Sequence, residues 1–437
     1  MKNKFVPKAF QCILVIVIGF PLISWSTPTT KKKQNKDVLL TINGFTFRDY
    51  NKNGELDIYE DYRLPIKDRV QDLIKKLTNE EKASLLIGLG MPGFDPSTAT
   101  FVPNADKGKV AGAAGGTTAI PRLGLPSIIV SDGPAGLRIN PKRDNDSKTY
   151  YATAFPVGTA LASTWNENLL KAVGEAMGNE VKEYGVDVLL GPGMNIHRNP
   201  LCGRNFEYFS EDPLISGKTA AAIVNGIQSK GVGTSIKHFA ANNQERNRMS
   251  ISANISERTM REIYLKGFEI AVKEAQPWTV MSSYNLINGT YTSARTDLLT
   301  TILRNEWGFE GLVMSDWFGG YNSFKDAFTK DAVSNVKNQI EAGNDLLMPG
   351  LPSQQKSILK NITNGTLKPS VVETSLRRVL ELVLKSSSMN NYRYSNSPNL
   401  KENATITRQA AAEGTILLKN DQNLLPFTSK NAPIAAF

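Results

Sequence analysis

The side chains with chemical potential in this sequence recur in one pattern. A short apolar, β-branched run ends abruptly in a carboxylate, a cation or an aromatic ring. "GLVMSDWFGG" delivers Asp316 and Trp317, "LPSIIVSDGPAGLR" delivers Asp132 and Arg138, and "GVGTSIKHFAANNQERNR" delivers Lys237, His238 and Arg248. Arg204 comes from "GVDVLLGPGMNIHRNPLCGRNFEY" and Tyr284 from "WTVMSSYNLING". A carboxylate at the tip of an apolar strand is costly to bury unless something binds there. A single Asp in such a place also suits a helix N-cap, and a single Arg or Lys is commonly half of a structural ion pair. Repetition at successive strand ends favours a shared site.

The mixture of types narrows the chemistry. A phosphate site would be mostly cationic and rich in backbone amides. A zinc site needs clustered His, Cys or carboxylates, yet the only two histidines, His197 and His238, follow different runs. A sugar fits better. Its hydroxyls pair with Asp, Arg, Lys and His, and its apolar face stacks on a ring such as Trp317.

The elements that must hold these residues read as strands alternating with helices. A sixth run, "GNDLLMPG", continues the series. Between the runs lie helical patterns such as "NENLLKAVGEAMGNEVKEYG" and "SERTMREIYLKGFEIAVKEA". That alternation implies a parallel sheet. A doubly wound sheet would concentrate function at one switch point, often beside a glycine-rich phosphate loop. A (β/α)8 barrel puts polar residues at the C-terminal ends of many strands. The pattern here predicts the α/β class and a TIM-like barrel, with Asp316 and Trp317 at its mouth.

The stretches "SDGPAGLR", "HRNPLCGRNFEYFSEDP", "KHFAANNQERNR", "SSYNLING" and "GFEGLVMSDWFG" resemble glycoside hydrolase family 3, and within it the β-glucosidases. The resemblance implies that Asp316 is a nucleophile forming a covalent glycosyl-enzyme. It implies that Asp132, Arg138, Arg204, Lys237, His238, Arg248 and Tyr284 line the subsite for a terminal nonreducing β-D-glucosyl unit, flanked by Trp317. Retaining glycosidases need one carboxylate to attack the anomeric carbon and a second carboxyl to protonate the leaving oxygen. Neighbouring cations are expected to keep the Asp316 pKa low.

In similar β-glucosidases the second carboxyl comes from a later α/β domain. The segment "LVLKSSSMNNYRYSNSPNLKENATITRQAAAEGTILLKNDQNLLPF" resembles the linker towards it, and "APIAAF" resembles its first strand. The reading is a barrel with an intact nucleophile and crippled turnover. The alternative is an inactive carbohydrate-binding or scaffold barrel. Glu207, Glu211 and Glu245 are expected to be structural or peripheral. Apolar residues from Asn403 onward (Ile406, Ile416, Leu417, Leu418, Leu424, Leu425 and Phe427) are expected to lack partners and to favour association.

The N-terminal part carries a separate signal. "DYNKNGELDIYE" places Asp49, Asn51, Asn53, Glu55, Asp57 and Glu60 at the spacing of a twelve-residue calcium loop, with Gly54 at its sixth position. An alternating strand-like stretch precedes it and a helical one follows, so a structural Ca2+ is expected, not a switch, which needs a helix pair. No cofactor is expected for catalysis. Residues 1–26 have the basic start, short apolar run and small residues of a secretory signal peptide. This predicts periplasmic or secreted material and no membrane contact after cleavage. The division expected is 1–26 signal peptide, 27–64 calcium-loop segment, 65–386 barrel, and 387–437 linker with the start of a second domain.

Of the 437 residues, 41% are hydrophobic and 21% charged, an ordinary globular balance. The net charge of +10 gathers partly near the N-terminus, at Lys2, Lys4, Lys8 and Lys31 to Lys33. No basic stripe interleaved with aromatics marks a nucleic-acid partner.

Overall fold

A computed structural model describes residues 38–90, 94–95, 100–101, 110–143, 146–327 and 335–427. The expected signal peptide lies outside them. Among the described residues no helix is long and apolar enough to cross a membrane.

Seven strands form one sheet, in the spatial order Leu312–Ser315, Thr279–Ser282, Gly233–Phe239, Val188–Leu190, Ile129–Asp132, Gly115–Thr117, Gly88–Leu89. The two edges meet across one further segment. Leu346 bridges in parallel to Met314, and Leu347 bridges in parallel to Ile87. The sheet therefore closes on itself as an eight-stave α/β barrel, which removes both edges. The "GNDLLMPG" run supplies the closing stave.

The barrel is parallel except at one place. Gly115–Thr117 pairs antiparallel with both of its neighbours. This departs from the all-parallel arrangement expected. The stretch is "GGT", with no apolar run to reveal a strand, and its glycines let neighbouring backbones approach. A Cβ at Gly116 would stand 2.2 Å from the Ile128 carbonyl oxygen.

The strands read as continuous apolar runs because both faces are buried. Outside them, the helices Glu167–Glu183, Pro213–Gln228 and Lys266–Ala275 pack side by side. Their inner residues, including Val173, Ile223 and Phe268, join Val280 and Val313 in the larger core. A second core joins Met281, Met314 and Leu346 to the helices Ile66–Lys76 and Pro369–Lys385. The helix Pro213–Gln228 has the cap that its sequence "EDP" suggests: the Asp212 side chain accepts from the Leu214 and Ile215 amides, and Pro213 opens the first turn.

The helix Leu400–Gly414 lies against the barrel. Ala410 is fully buried, and Ile406, expected without a partner, packs against the main core. The Asn403 amide donates to buried Glu180 at 3.0 Å. Beyond the helix, Ile416, Leu417, Leu418, Leu424, Leu425 and Phe427 are exposed, as expected.

Candidate active site

Asp316 stands directly after the strand Leu312–Ser315, at the C-terminal end of the barrel. Its amide donates to the Ser282 carbonyl at 3.1 Å, which continues the pairing with the neighbouring strand. Its Oδ1 accepts the Trp317 amide at 2.7 Å. Its Oδ2 is buried with no hydrogen-bond partner among the described residues. No helix of full length starts here, so Asp316 is not the N-cap that a lone Asp could have been. The chain then turns sharply. Phe318 has φ 64°, an uncommon value for a bulky residue, and its amide is held by the Met348 carbonyl at 2.8 Å.

The other strand ends converge on this carboxylate. His238 Nε2 lies 3.7 Å from Asp316 Oδ2. Lys237, almost wholly buried, places its ammonium 2.7 Å from Asp132 Oδ1. Asp132 is the last residue of its own strand. The glycines in "SDGPAGLR" allow the chain to fold back there. Gly133 has φ 152° and Gly136 has φ 127°, and a Cβ on either would meet a carbonyl oxygen at 2.1 Å. The fold-back lets the Arg138 amide bond the Asp132 carbonyl at 2.8 Å. Arg138 itself is exposed at the rim.

Arg204 and Arg248 come from loops and are held by carboxylates of those same loops. Arg204 Nε donates to Glu207, and Arg248 donates to Glu245 at 2.7 Å. The Arg248 guanidinium also lies over the Tyr284 ring, 4.7 Å from its centroid. Glu207 and Glu245 are thus structural partners of the arginines, in line with the expectation for them. Trp317 is half-buried, and its indole donates to the Ala114 carbonyl at 3.1 Å. It packs beside Met249, Tyr284, Phe318 and Tyr321, giving the site one apolar wall.

Burial decides the protonation of the two central groups. It raises the Asp316 carboxyl above its ordinary value, and Arg204, Lys237, the Trp317 amide and Arg248 pull down without prevailing. The cations were expected to prevail. Sequence names the neighbours but does not weigh them against complete desolvation. Burial, with Arg204, Lys237 and Arg248 nearby, pushes His238 well below its ordinary value. His238 is therefore neutral, and its contact with Asp316 is not an ion pair. Asp132 behaves in the opposite way. Burial raises it, but Lys237, Arg204 and Arg138 outweigh that and leave it lowered. Tyr284 is held well above its ordinary value, first by burial and then by the Asp316 charge, so it stays a neutral phenol.

A layer of neutral residues behind the site was not singled out from sequence. The Asn195 side chain clamps the His238 backbone, accepting its N–H at 2.7 Å and donating to its carbonyl at 2.8 Å. The buried Tyr208 hydroxyl lies 3.2 Å from His238 Nδ1 and accepts from Asn242 at 3.0 Å. All three lie in the quoted motifs. Their signal was a run of uncharged polar residues in stretches otherwise apolar.

The loop Asp49–Glu60 is differently arranged. Asp49 accepts the Asn53 and Gly54 amides, at 3.1 and 2.9 Å. Glu60 accepts the Tyr50 and Asp57 amides, at 2.7 and 3.1 Å. Asp57 pairs with Lys76 at 2.8 Å and accepts from Asn51 and Asn53. Glu55 donates its amide to Asn53. Among the described residues no three His, Cys, Asp or Glu stand close enough to hold a metal ion. The expected ligands are brought into one turn, but the side-chain oxygens of Asp49, Asn51, Asn53 and Glu60 are occupied by amides of the turn, and Asp57 is held by Lys76.

The chain is an α/β barrel whose strand ends bring a buried carboxylate together with cations, a neutral imidazole and an aromatic wall. The chain belongs to glycosyl hydrolase family 3: residues 121–382 match the model of its N-terminal domain. It is 39% identical over 381 residues to thermostable beta-glucosidase B of Acetivibrio thermocellus, covering 84% of this chain and 44% of that protein. It is 41% identical over 371 residues to the exo-alpha-(1->6)-L-arabinopyranosidase of Bifidobacterium longum, covering 83% of this chain and 43% of that one. Among solved structures, beta-glucosidase 3B of Thermotoga neapolitana in complex with glucose matches with a TM-score of 0.74 at 51% identity. That match covers 81% of this chain and 48% of the other. The chain spans less than half the length of these relatives.

Proposed function

We propose that this chain is the nucleophile-bearing barrel of a retaining, exo-acting β-glucosidase acting on terminal nonreducing β-D-glucosyl residues. The observation that carries the reading is the Asp316 carboxylate, whose Oδ2 is buried and unpartnered at the centre of the strand-end cluster. A group left in that condition is costly to the fold, which makes sense where it must attack a carbon. Asp132 and Lys237 hold sugar hydroxyls as a paired acceptor and donor. Trp317 covers the apolar face of the ring. Arg204 and Arg248 keep enough positive charge near Asp316 for its ionised form to be available.

The general acid is not among the nearby barrel carboxyls in this reading, because Glu207 and Glu245 are committed to Arg204 and Arg248. The 437-residue chain then attacks β-glucosides whose leaving group needs no proton, such as the dinitrophenyl glucoside. Cellobiose reacts slower by roughly 10²–10⁴-fold, the usual worth of a general acid. Incubation with a 2-deoxy-2-fluoro glucoside, digestion and mass spectrometry should find the label on Asp316. A label elsewhere overturns the nucleophile assignment. Efficient cellobiose cleavage places an acid inside the barrel. Sugar binding with no label at all favours the binding-barrel alternative. The same reading makes β-glucosides or oligosaccharides the partners. It gives the exposed apolar residues from Ile416 to Phe427 a role in association, which sedimentation of Leu418→Ser against the parent chain would test.

We also propose that the Asp49–Glu60 loop takes a structural Ca2+. The donor set fits a hard cation: six oxygen-bearing side chains, Asp49, Asn51, Asn53, Glu55, Asp57 and Glu60, within twelve residues. The occupied state needs Asp57 to release Lys76 and Glu60 to release backbone amides.

A further inference from the structure

A neutral imidazole carries a single N–H, and the nitrogen that holds it is set by what the other nitrogen bonds. His238 is neutral and almost wholly buried, and its Nε2 faces Asp316 Oδ2 at 3.7 Å. Its Nδ1 lies 3.2 Å from the Tyr208 hydroxyl. A hydroxyl has one proton to give, so the direction of that one contact fixes the tautomer that the nucleophile meets.

The residues behind Tyr208 set the direction. Asn242 is buried, and one edge of its amide meets both the Tyr208 hydroxyl at 3.0 Å and the Glu245 carboxylate at 3.4 Å. Glu245 is itself paired with Arg248 at 2.7 Å. An ionised carboxylate only accepts, so the amide edge that meets it is the NH2. The reverse orientation would set the amide oxygen against Glu245. Tyr208 therefore accepts from Asn242. Burial holds its phenol well above the ordinary value, so it keeps its own proton. The side chain is shut off from solvent, and Gly193 packs on the ring so closely that a Cβ there would stand 3.1 Å from it. The hydroxyl proton has His238 Nδ1 to go to.

We propose that Tyr208 is a positioning residue: directed by Asn242, its hydroxyl donates to His238 Nδ1 and keeps the imidazole proton on Nε2, facing Asp316. The opposite tautomer would turn a nitrogen lone pair towards the carboxylate. An N–H there attracts it instead, yet 3.7 Å is too long for a hydrogen bond, so Oδ2 is guided without being occupied. Glu245, Asn242 and Tyr208 thus act on the nucleophile through one neutral ring. The consequence for the reaction rests on the reading of Asp316 as nucleophile; the tautomer itself does not.

The test uses both halves. The chain has two histidines, His197 and His238, so isotopic labelling of histidine nitrogens gives two pairs of ring signals in NMR, and His197→Gln removes one pair. Protonated and bare ring nitrogens resonate far apart. The parent chain should show His238 bare at Nδ1 and protonated at Nε2. Tyr208→Phe should shift the Nδ1 signal. In the same variant the saturating rate at which the dinitrophenyl fluoro glucoside labels Asp316 should fall about threefold to tenfold, the weight of one uncharged hydrogen bond. The half-saturating concentration should barely change, and an unchanged melting temperature shows the variant folded. A parent chain protonated at His238 Nδ1 overturns the proposal, whether or not Tyr208→Phe folds. A folded Tyr208→Phe that labels at the parental rate also overturns it, and so does a slower one whose Nδ1 signal has not moved, since that marks loss of packing alone. A parent chain whose Asp316 takes no label sinks the glucosidase reading, and the ring signals then decide the role of Tyr208 by themselves.

Discussion

Two buried aspartates on adjoining staves of the barrel have opposite fates. Asp345 opens the closing stave, and Asp316 follows the end of the stave beside it. Both sit near Met314, which bridges to Leu346. Asp345 is inaccessible and fully spent: Arg304 at 2.6 Å, Arg378 at 2.7 Å, Ser375 at 2.9 Å and the Val313 amide at 2.9 Å all donate to it. Asp316 has the Trp317 amide on Oδ1, the Tyr284 hydroxyl as a neighbouring donor, no cation bonded to it, and an Oδ2 without a close partner among the described residues. The same residue type, at similar depth and a few residues apart along the staves, serves stability at one end of the barrel and stays available at the other. What separates them is whether the fold has supplied partners, not burial.

Substitution should divide the pair cleanly. Asp316→Ala is expected to lower turnover of dinitrophenyl β-glucoside by roughly 10⁴-fold or more, as removal of a nucleophile commonly does. It should leave the chain folded. Asp345→Ala should do the reverse. It strands two guanidiniums, one of them Arg304, which burial already pushes down to about 10 against the opposing pull of Asp345. Breaking a buried pair from one side costs about 3–5 kcal/mol. Urea unfolding monitored by far-UV circular dichroism measures this. A stable Asp345→Ala chain would show that the contrast lies elsewhere.

Asn195 tests whether the idle carboxylate depends on the layer behind it. Asn195→Ala leaves the His238 N–H and carbonyl unpaired in the core, at about 1–3 kcal/mol per abandoned group. Asn195→Asp keeps an acceptor for the N–H but no donor for the carbonyl. Both variants should lower kcat on the activated glucoside more than they raise KM, with Asn195→Asp the milder. An equal fall in stability with unchanged kinetics would reduce Asn195 to a structural part.

Much of this was legible in the sequence, for an identifiable reason. Six staves announce themselves because strands buried on both faces must be apolar, and a charged residue at the end of such a run stands out. Asp132, Lys237, His238 and Asp316 were found that way. Gly88–Leu89 and Gly115–Thr117 were not, because they are held by glycine-permitted backbone approach and leave no hydrophobic trace. Asn195, Tyr208 and Asn242 do not stand out in the sequence, because neutral polar residues reveal their use only when their partners are visible. The protonation of Asp316 is hidden from the sequence for the same reason. Its cations can be read from the motifs, but the completeness of its burial is a property of the closed barrel.

That burial has a consequence for pH. The folded pKa of Asp316 is raised, so folding favours the protonated form. Above the folded pKa the buried charge costs stability, and below the ordinary carboxyl value of 3.8 that cost is gone. Asp316→Asn should therefore melt higher than the parent chain at pH 7, and the gap should shrink as pH falls towards 4. Glucosylation of Asp316 by the fluoro sugar should slow over the same window, since only the carboxylate attacks. A melting difference that grows on acidification would reverse the assigned direction.

The smallest effect concerns the loop Asp49–Glu60, which stands between the two aspartates in character. Its carboxylates have partners, but the partners are replaceable: backbone amides of a surface turn and the ammonium of Lys76, which is about one-third exposed. On the calcium proposal, Lys76 and Ca2+ would compete for Asp57. Burial raises Glu60 despite three amide bonds, so its charge is under-compensated in the present arrangement. A divalent ion would relieve that more fully than one ammonium. At ten times the dissociation constant, Ca2+ should add about 1.4 kcal/mol by mass action on the folded state. That is a rise of a few degrees in melting temperature for a domain of this size. Lys76→Gln should lower the stability of the ion-free chain slightly and strengthen the response to Ca2+, because the competitor is gone. Glu60→Gln should abolish the response. If Lys76→Gln leaves the Ca2+ response unchanged, the ammonium and the ion do not share Asp57. If neither the parent chain nor Lys76→Gln responds to Ca2+, the loop is a closed turn for which Lys76 is the only cation.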